Sequence, residues 1–205
     1  MRSIARVSMP EKGQYAMRAP EGLALQPGAE VVVELDYGED CGVLLSVAPH
    51  DPERERYPRF SVLRTPGDED RRRSEANVGK AAALGRRFAE LAEPSAPGIR
   101  VVYSRLSLGG GRLFLRYVCD RLRPDIAGAM SAVGAEGGTT VSAWQMGQRD
   151  EVRSVGAVGP CGRVCCCCSW QKKYPSRASD SRRGAAVGIC GRRRCCHSFE
   201  EGQDT

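Results

Sequence analysis

Histidine is scarce in this chain, with two residues in 205; lysine contributes only 4 of the 31 basic residues, and aromatic side chains make up 6%. So few histidines leave little material for proton transfer near neutral pH. His50 lies in a polar stretch and reads as solvated, and His197 reads as a surface residue rather than a ligand. A nucleophilic pair drawn from Cys196 and His197 joins adjacent residues, whose side chains diverge in strands and helices alike. No stretch approaches the 18 apolar residues that a membrane-spanning helix needs. Met1 to Tyr15 lacks the apolar segment of a secretory signal, so a reducing, cytoplasmic setting is expected. No Gly-x-Gly-x-x-Gly follows a strand, and Gly109 to Gly111 precedes no helix and no Lys-Ser/Thr. That glycine trio reads as a hairpin turn, not a phosphate loop, and no catalytic residue is assigned.

Cysteine, by contrast, is abundant, at 10 residues. The segment Gly-x-Cys-Gly-Arg-x-x-Cys-Cys occurs twice, at Gly159–Cys167 and at Gly188–Cys196, with six positions identical between the copies. The repeat sets out Cys161, Cys166 and Cys167 against Cys190, Cys195 and Cys196. Several thiolates held together repel one another unless a cation neutralises them, and soft metals bind thiolates. Arg163 and Arg192, with Arg193 and Arg194, supply part of that charge and are expected to lower the thiol pKa values. Glycines 156, 159, 162, 188 and 191 allow tight turns whose N–H groups can point at sulfur.

The Cys-x4-Cys separation favours an iron–sulfur cluster over zinc, whose structural sites usually show Cys-x-x-Cys pairs. Three plus three thiols leave two arrangements open: one cluster shared between the copies, or two clusters each completed by a ligand from a partner. Cys165 and Cys168 extend the first copy into an unbroken run from Cys165 to Cys168 and compete as ligands. A disulfide framework is disfavoured by the reducing setting, and a thiol-redox centre at Cys165–Cys168 lacks the expected helix. The isolated Cys41 and Cys119 fall in strand-like segments and read as buried side chains.

Upstream, Ala29–Leu35 and Gly42–Val47 read as strands joined by an Asp36-Tyr37-Gly38 turn. Pro49–Asp70 reads as a linker, and Asp70–Glu93 as a helix weakened by Gly79 and Gly85. Ile99–Arg105 and Leu113–Val118 form a hairpin around Gly109–Gly111, Pro124–Val133 a short helix and Thr139–Met146 a further strand. The acidic groups Asp68-Glu69-Asp70 and Asp150-Glu151 read as solvated turn or helix-start charges. The expected fold is α+β, with a small N-terminal β-barrel-like unit, an α+β sandwich and an irregular cysteine-rich C-terminal segment. The corresponding divisions are 1–66, 67–150 and 151–205.

Charge is placed unevenly. Of the net +6, residues 1–148 carry 20 basic and 19 acidic groups, and residues 149–205 carry 11 and 6. Between Arg153 and Arg194 only Asp180 is acidic, and Trp170 and Tyr174 lie near Lys172 and Lys173. Such a patch suits phosphate contact and base stacking in RNA, or it offsets thiolate charge or faces an acidic partner.

The twin motif, followed by Phe199-Glu200, resembles that of the RicT (YaaT) family, the bacterial branch of the polymerase-suppressor C-terminal domain superfamily. Gln148-Arg149-Asp150-Glu151 is similar to the family's Gly-x-Arg-Asp-Glu segment, and Glu21-Gly22-Leu23 with Val31-Val32-Val33-Glu34 to its N-terminal strands. The resemblance implies a regulatory protein rather than an enzyme, assembling with RicA-like and RicF-like partners into a complex that carries iron–sulfur clusters, typically 4Fe-4S. It implies a link to endoribonuclease Y, messenger-RNA maturation and cell-fate control. It also implies cluster ligation by Cys161, Cys166, Cys167, Cys190, Cys195 and Cys196. The chain departs from the family in carrying Cys165 and Cys168, in a shorter spacer between the copies, and in stopping soon after Glu200. A stand-alone zinc-stabilised nucleic-acid-binding module is the rival reading.

Overall fold

Two hydrophobic cores organise the N-terminal part of the chain, one inside a barrel and one between a sheet and two helices. The computed structural model describes residues 3–11, 13–22, 26–53, 55–121, 123–169, 187–192 and 195. The chain divides into two compact units, Met1–Trp144 and Gln145–Thr205.

The barrel is built from β1 (Ser3–Met9), β2 (Gly13–Ala19), β3 (Glu30–Leu35), β4 (Gly38–Pro49) and β5 (Ser61–Arg64), closed in the order β1-β2-β5-β3-β4. Alternation puts Val31, Val33 and Leu35 of β3 inside, where they meet Ala5, Val7, Met9, Met17, Leu44 and Val62. The β3–β4 hairpin turns at Asp36–Tyr37 into Gly38, whose φ of +97° suits glycine. β1 and β4 come close enough at Gly42 that a Cβ there would lie 2.5 Å from Val7 Cγ1. Closure needs β5, a four-residue strand inside the segment expected to be a linker. It pairs antiparallel with β3 and meets β2 at Arg18↔Ser61.

The second layer comprises α1 (Asp68–Ala92), β6 (Arg100–Leu106), β7 (Arg112–Val118), α2 (Ala127–Gly137) and β8 (Thr140–Gln145), with sheet order β6-β7-β8. Ala81, Phe88 and Ala92 of α1 and Ala129 and Val133 of α2 pack on Leu106, Leu113, Leu115 and Tyr117, so both helices cover one face of the sheet. Phe88 is fully buried, which contributes about 2–3 kcal/mol. Gly85, which weakens the helix on propensity, sits where α1 presses on β6: a Cβ there would lie 3.2 Å from Ser104 Cβ. The α+β class and the barrel-like N-terminal unit are as expected.

Polar groups join the two layers of this first unit. Asp40 of β4 is fully buried and accepts from Cys41 N–H, Leu108 N–H, Tyr37 O–H and both terminal nitrogens of Arg105. Arg105 of β6 also pairs with Glu11, which accepts from Tyr103 O–H at 2.8 Å. The paired carboxylates hold the Arg105 guanidinium charged despite its burial, and burial beside Glu11 pushes Tyr103 up to about 12. Asp70, expected to be solvated, is 5% exposed; it accepts the Gly67 N–H at the start of α1 and pairs with Arg64 at 2.7 Å. The Gly109–Gly111 turn rests on the β3–β4 hairpin, with Gly109 N–H donating to Glu39 O at 2.8 Å. A Cβ on Gly111 would meet Tyr37 O at 2.2 Å, so glycine there serves close backbone packing.

Candidate metal centre

The second unit begins with α3 (Gln148–Val155), with Asp150 and Glu151 in its first turn, as a helix macrodipole favours. Gly156 ends it, and Val158 bridges to Val164 around the first copy of the cysteine motif. The two copies fold alike. Gly159 N–H donates to Arg163 O at 2.8 Å and Gly162 N–H to Gly159 O at 2.9 Å. Gly188 to Arg192 O and Gly191 to Gly188 O repeat these bonds at 2.8 and 2.9 Å. Gly162 and Gly191 have φ of +74° and +76°, a conformation costly for any side chain with a Cβ. The sequence repeat is therefore a structural repeat of two glycine knuckles.

Each knuckle receives a sulfur from the other copy. A Cβ on Gly159 would lie 3.5 Å from Cys195 Sγ and 3.7 Å from Cys161 Sγ. A Cβ on Gly188 would lie 3.3 Å from Cys166 Sγ and 3.8 Å from Cys190 Sγ. Glycine at these two positions thus leaves room for the crossed thiols. Ile189 N–H donates to Cys166 Sγ at 3.4 Å. The equivalent residue in the first copy is Pro160, which has no N–H, so the two crossed sulfurs are not equivalently held. This asymmetry stands in the sequence as Pro160 against Ile189, but its meaning needs the crossing.

A cleft of about 120 Å³ lies between the knuckles, lined by Cys161, Cys165, Cys166, Cys190 and Cys195 together with Arg163 and Arg192. Cys165 Sγ stands 3.9 Å from Cys195 Sγ. The Arg192 backbone N–H, aided by the Cys161 thiol and the Arg192 charge, holds Cys190 below the ordinary thiol range. Burial, reinforced by Cys195, pushes Cys165 up to about 12, and burial with Cys167 alongside raises Cys168. Cys190 is therefore lowered chiefly by a backbone N–H, with arginine charge a minor contribution, whereas at Cys165 and Cys168 desolvation among other sulfurs dominates.

Of the six motif cysteines, the structure brings Cys161, Cys166, Cys190 and Cys195 to the cleft. Cys167 is buried outside the cleft lining, and Arg153 Nε donates to its carbonyl at 3.2 Å. Cys168 turns away, its thiol donating to Val152 O at 3.3 Å. Cys196 and His197 lie outside the described residues, as do Trp170, Tyr174, Lys172, Lys173, Asp180, Arg193 and Arg194 of the basic stretch. Cys41 and Cys119 are half-buried, and burial beside Asp40 pushes Cys41 up to about 11. His50 bonds the Glu55 carbonyl at 3.1 Å through Nε2.

Thiols are soft donors, and five of them line the cleft beside two arginines, with a backbone amide aimed at one sulfur. Among the described residues, no three His, Cys, Asp or Glu side chains are grouped so as to hold one metal ion. Among the described residues, no helix is long and apolar enough to cross a membrane. Comparison with protein-family models, with curated proteins and with solved structures gives no match.

Proposed function

We propose that the chain is a cytoplasmic iron–sulfur-cluster-binding regulatory subunit of RicT-like type, not an enzyme. In this reading it works with RicA-like and RicF-like partners in endoribonuclease Y-linked messenger-RNA maturation and cell-fate control. The observation that carries the reading is the crossed arrangement in which each glycine knuckle accommodates a cysteine of the other copy. Two copies of a thiol motif folded separately have no reason to leave matched room for one another's sulfur.

Cys161, Cys166, Cys190 and Cys195 would hold the cluster, with Cys167 and Cys196 completing the family's ligand set. An iron–sulfur cluster supplies one-electron redox chemistry whose potential follows hydrogen bonding to its sulfurs and their exposure. The chain's own part is to place the thiols and donate the Ile189 N–H to Cys166. Lowering of Cys190 keeps a ligand available as thiolate. Cys161 and Cys190 are exposed, as are Val158, Val164, Val187 and Ile189 around them. That apolar, thiol-bearing rim supports action through protein partners. In this reading the action on RNA processing is indirect, through partners, and the basic residues between 153 and 194 offset thiolate charge, face an acidic partner or meet RNA phosphate.

The rival, a zinc-stabilised nucleic-acid-binding module, shares the thiols but not the need for sulfide or partners. Replacing Cys190 with Ser is expected to remove most visible cluster absorption from anaerobically isolated protein while the far-ultraviolet spectrum stays unchanged. Full iron content in that variant contradicts the ligand assignment.

A further inference from the structure

Cys165 is the one thiol lining the cleft that has no counterpart in the repeat; Arg194 occupies its position in the second copy. It is nonetheless fixed there. Its N–H donates to Ala157 O at 2.9 Å, and its carbonyl accepts from Cys168 N–H at 2.8 Å and from Ser169. Its sulfur stands 3.9 Å from that of Cys195, a residue 30 positions away that has crossed to the Gly159 knuckle. A disulfide has an S–S length of about 2.05 Å, so bonding needs the sulfurs to close by about 1.9 Å, within reach of side-chain rotation.

We propose that Cys165 and Cys195 form a reversible disulfide on exposure to hydrogen peroxide, and that this bond withdraws Cys195 from metal binding. The Cys195 sulfur attacks one peroxide oxygen, the O–O bond breaks, and a sulfenic acid forms with release of one water. The Cys165 thiol, held against that sulfur, then attacks it without prior ionisation, its proton passing to the departing oxygen; the S–S bond forms, the S–O bond breaks, and a second water carries away the Cys165 proton. Two thiols lose two electrons in all and one peroxide is reduced to two waters. A dithiol reverses the bond by exchange. Cys165 is thus the resolving partner, sparing Cys195 from irreversible sulfinic oxidation, while the new bond ties the first copy to the second. The metal consequence rests on the proposed cluster role, but the disulfide does not.

The test treats metal-free full-length protein with one equivalent of hydrogen peroxide, caps remaining thiols and maps tryptic peptides without reduction. Cleavage after Arg163, Lys172 and Arg194 places Cys165 in peptide 164–172 and Cys195 in the peptide that begins at Cys195. The expected product is those two peptides linked, two thiols lost per chain, and full reversal by dithiothreitol. Cys165→Ser is expected to abolish the link and leave Cys195 as the sulfenic acid, which a second equivalent of peroxide takes to the sulfinic acid, whereas Cys166→Ser and Cys168→Ser retain the link. A link that persists in Cys165→Ser, oxidation confined to Cys161 and Cys190, or Cys195 sulfinic acid in the unaltered protein overturns the proposal. Reconstitution with iron and sulfide then separates the two claims. Oxidised protein should regain uptake only after dithiothreitol, and undiminished uptake by the linked form refutes withdrawal of Cys195. A chain that takes up no iron in either state counts against the cluster reading, while the peptide map still decides the disulfide.

Discussion

Replacing Arg105 with Met tests what joins the barrel to the sheet within the first unit. Arg105 serves two carboxylates that lie 65 and 94 residues away in sequence, and their side chains are 0% exposed at Asp40 and 3% at Glu11. Methionine retains most of the side-chain volume and the contact with the Phe114 ring, now 4.8 Å from the guanidinium carbon. What it removes is charge compensation. Asp40 keeps the Cys41 and Leu108 amides and the Tyr37 hydroxyl; Glu11 keeps the Tyr103 hydroxyl. Breaking a buried pair by removing one partner costs about 3–5 kcal/mol, because the other charge stays buried. At about 2–4 °C per kcal/mol for a chain of this size, the melting temperature should fall by roughly 6–20 °C. Thermal unfolding followed by circular dichroism reads this directly, and combining the change with Asp40→Asn and Glu11→Gln should recover most of the loss. A fall under about 3 °C, or no recovery in the combined variant, refutes the view that uncompensated charge is the cost.

The two weak points of α1 on propensity should respond in opposite directions to added side chains. Gly79 has nothing within 4 Å of a Cβ, so Gly79→Ala should stabilise by about 0.5–1 kcal/mol in chemical denaturation. Gly85→Leu should destabilise by about 1–3 kcal/mol, because α1 rests there on Ser104 and Val101. Thiol labelling of the metal-free protein should show Cys190 reacting below pH 9, since its thiolate forms below the ordinary range. Cys165, pushed up to about 12, should stay unlabelled through pH 9; the opposite order of labelling contradicts the assigned causes.

Much of the first unit can be read from local pattern. Val31-Val32-Val33 before Asp36-Tyr37-Gly38, and the runs flanking Gly109–Gly111, announce their hairpins because alternation and turn chemistry agree. β1 and β2 escape because small and polar residues interrupt their alternation, and β5 because four residues close to prolines carry too little pattern. The burial of Asp40, Glu11 and Asp70 has no local signal at all: their partners arrive from other elements. In the second unit the repeated thiols are plain in the sequence, and so are the glycine turns. The separation of Cys165 and Cys166 in the cleft from Cys167 and Cys168 outside it is not. Four consecutive cysteines look alike until the turn after Ala157 distributes them.

Metal analysis of anaerobically isolated full-length protein, for iron, acid-labile sulfide and zinc, tests the central claim most directly. The account predicts iron and sulfide in near-equal amounts with broad visible absorption that bleaches on reduction. Stoichiometric zinc with no sulfide would contradict it.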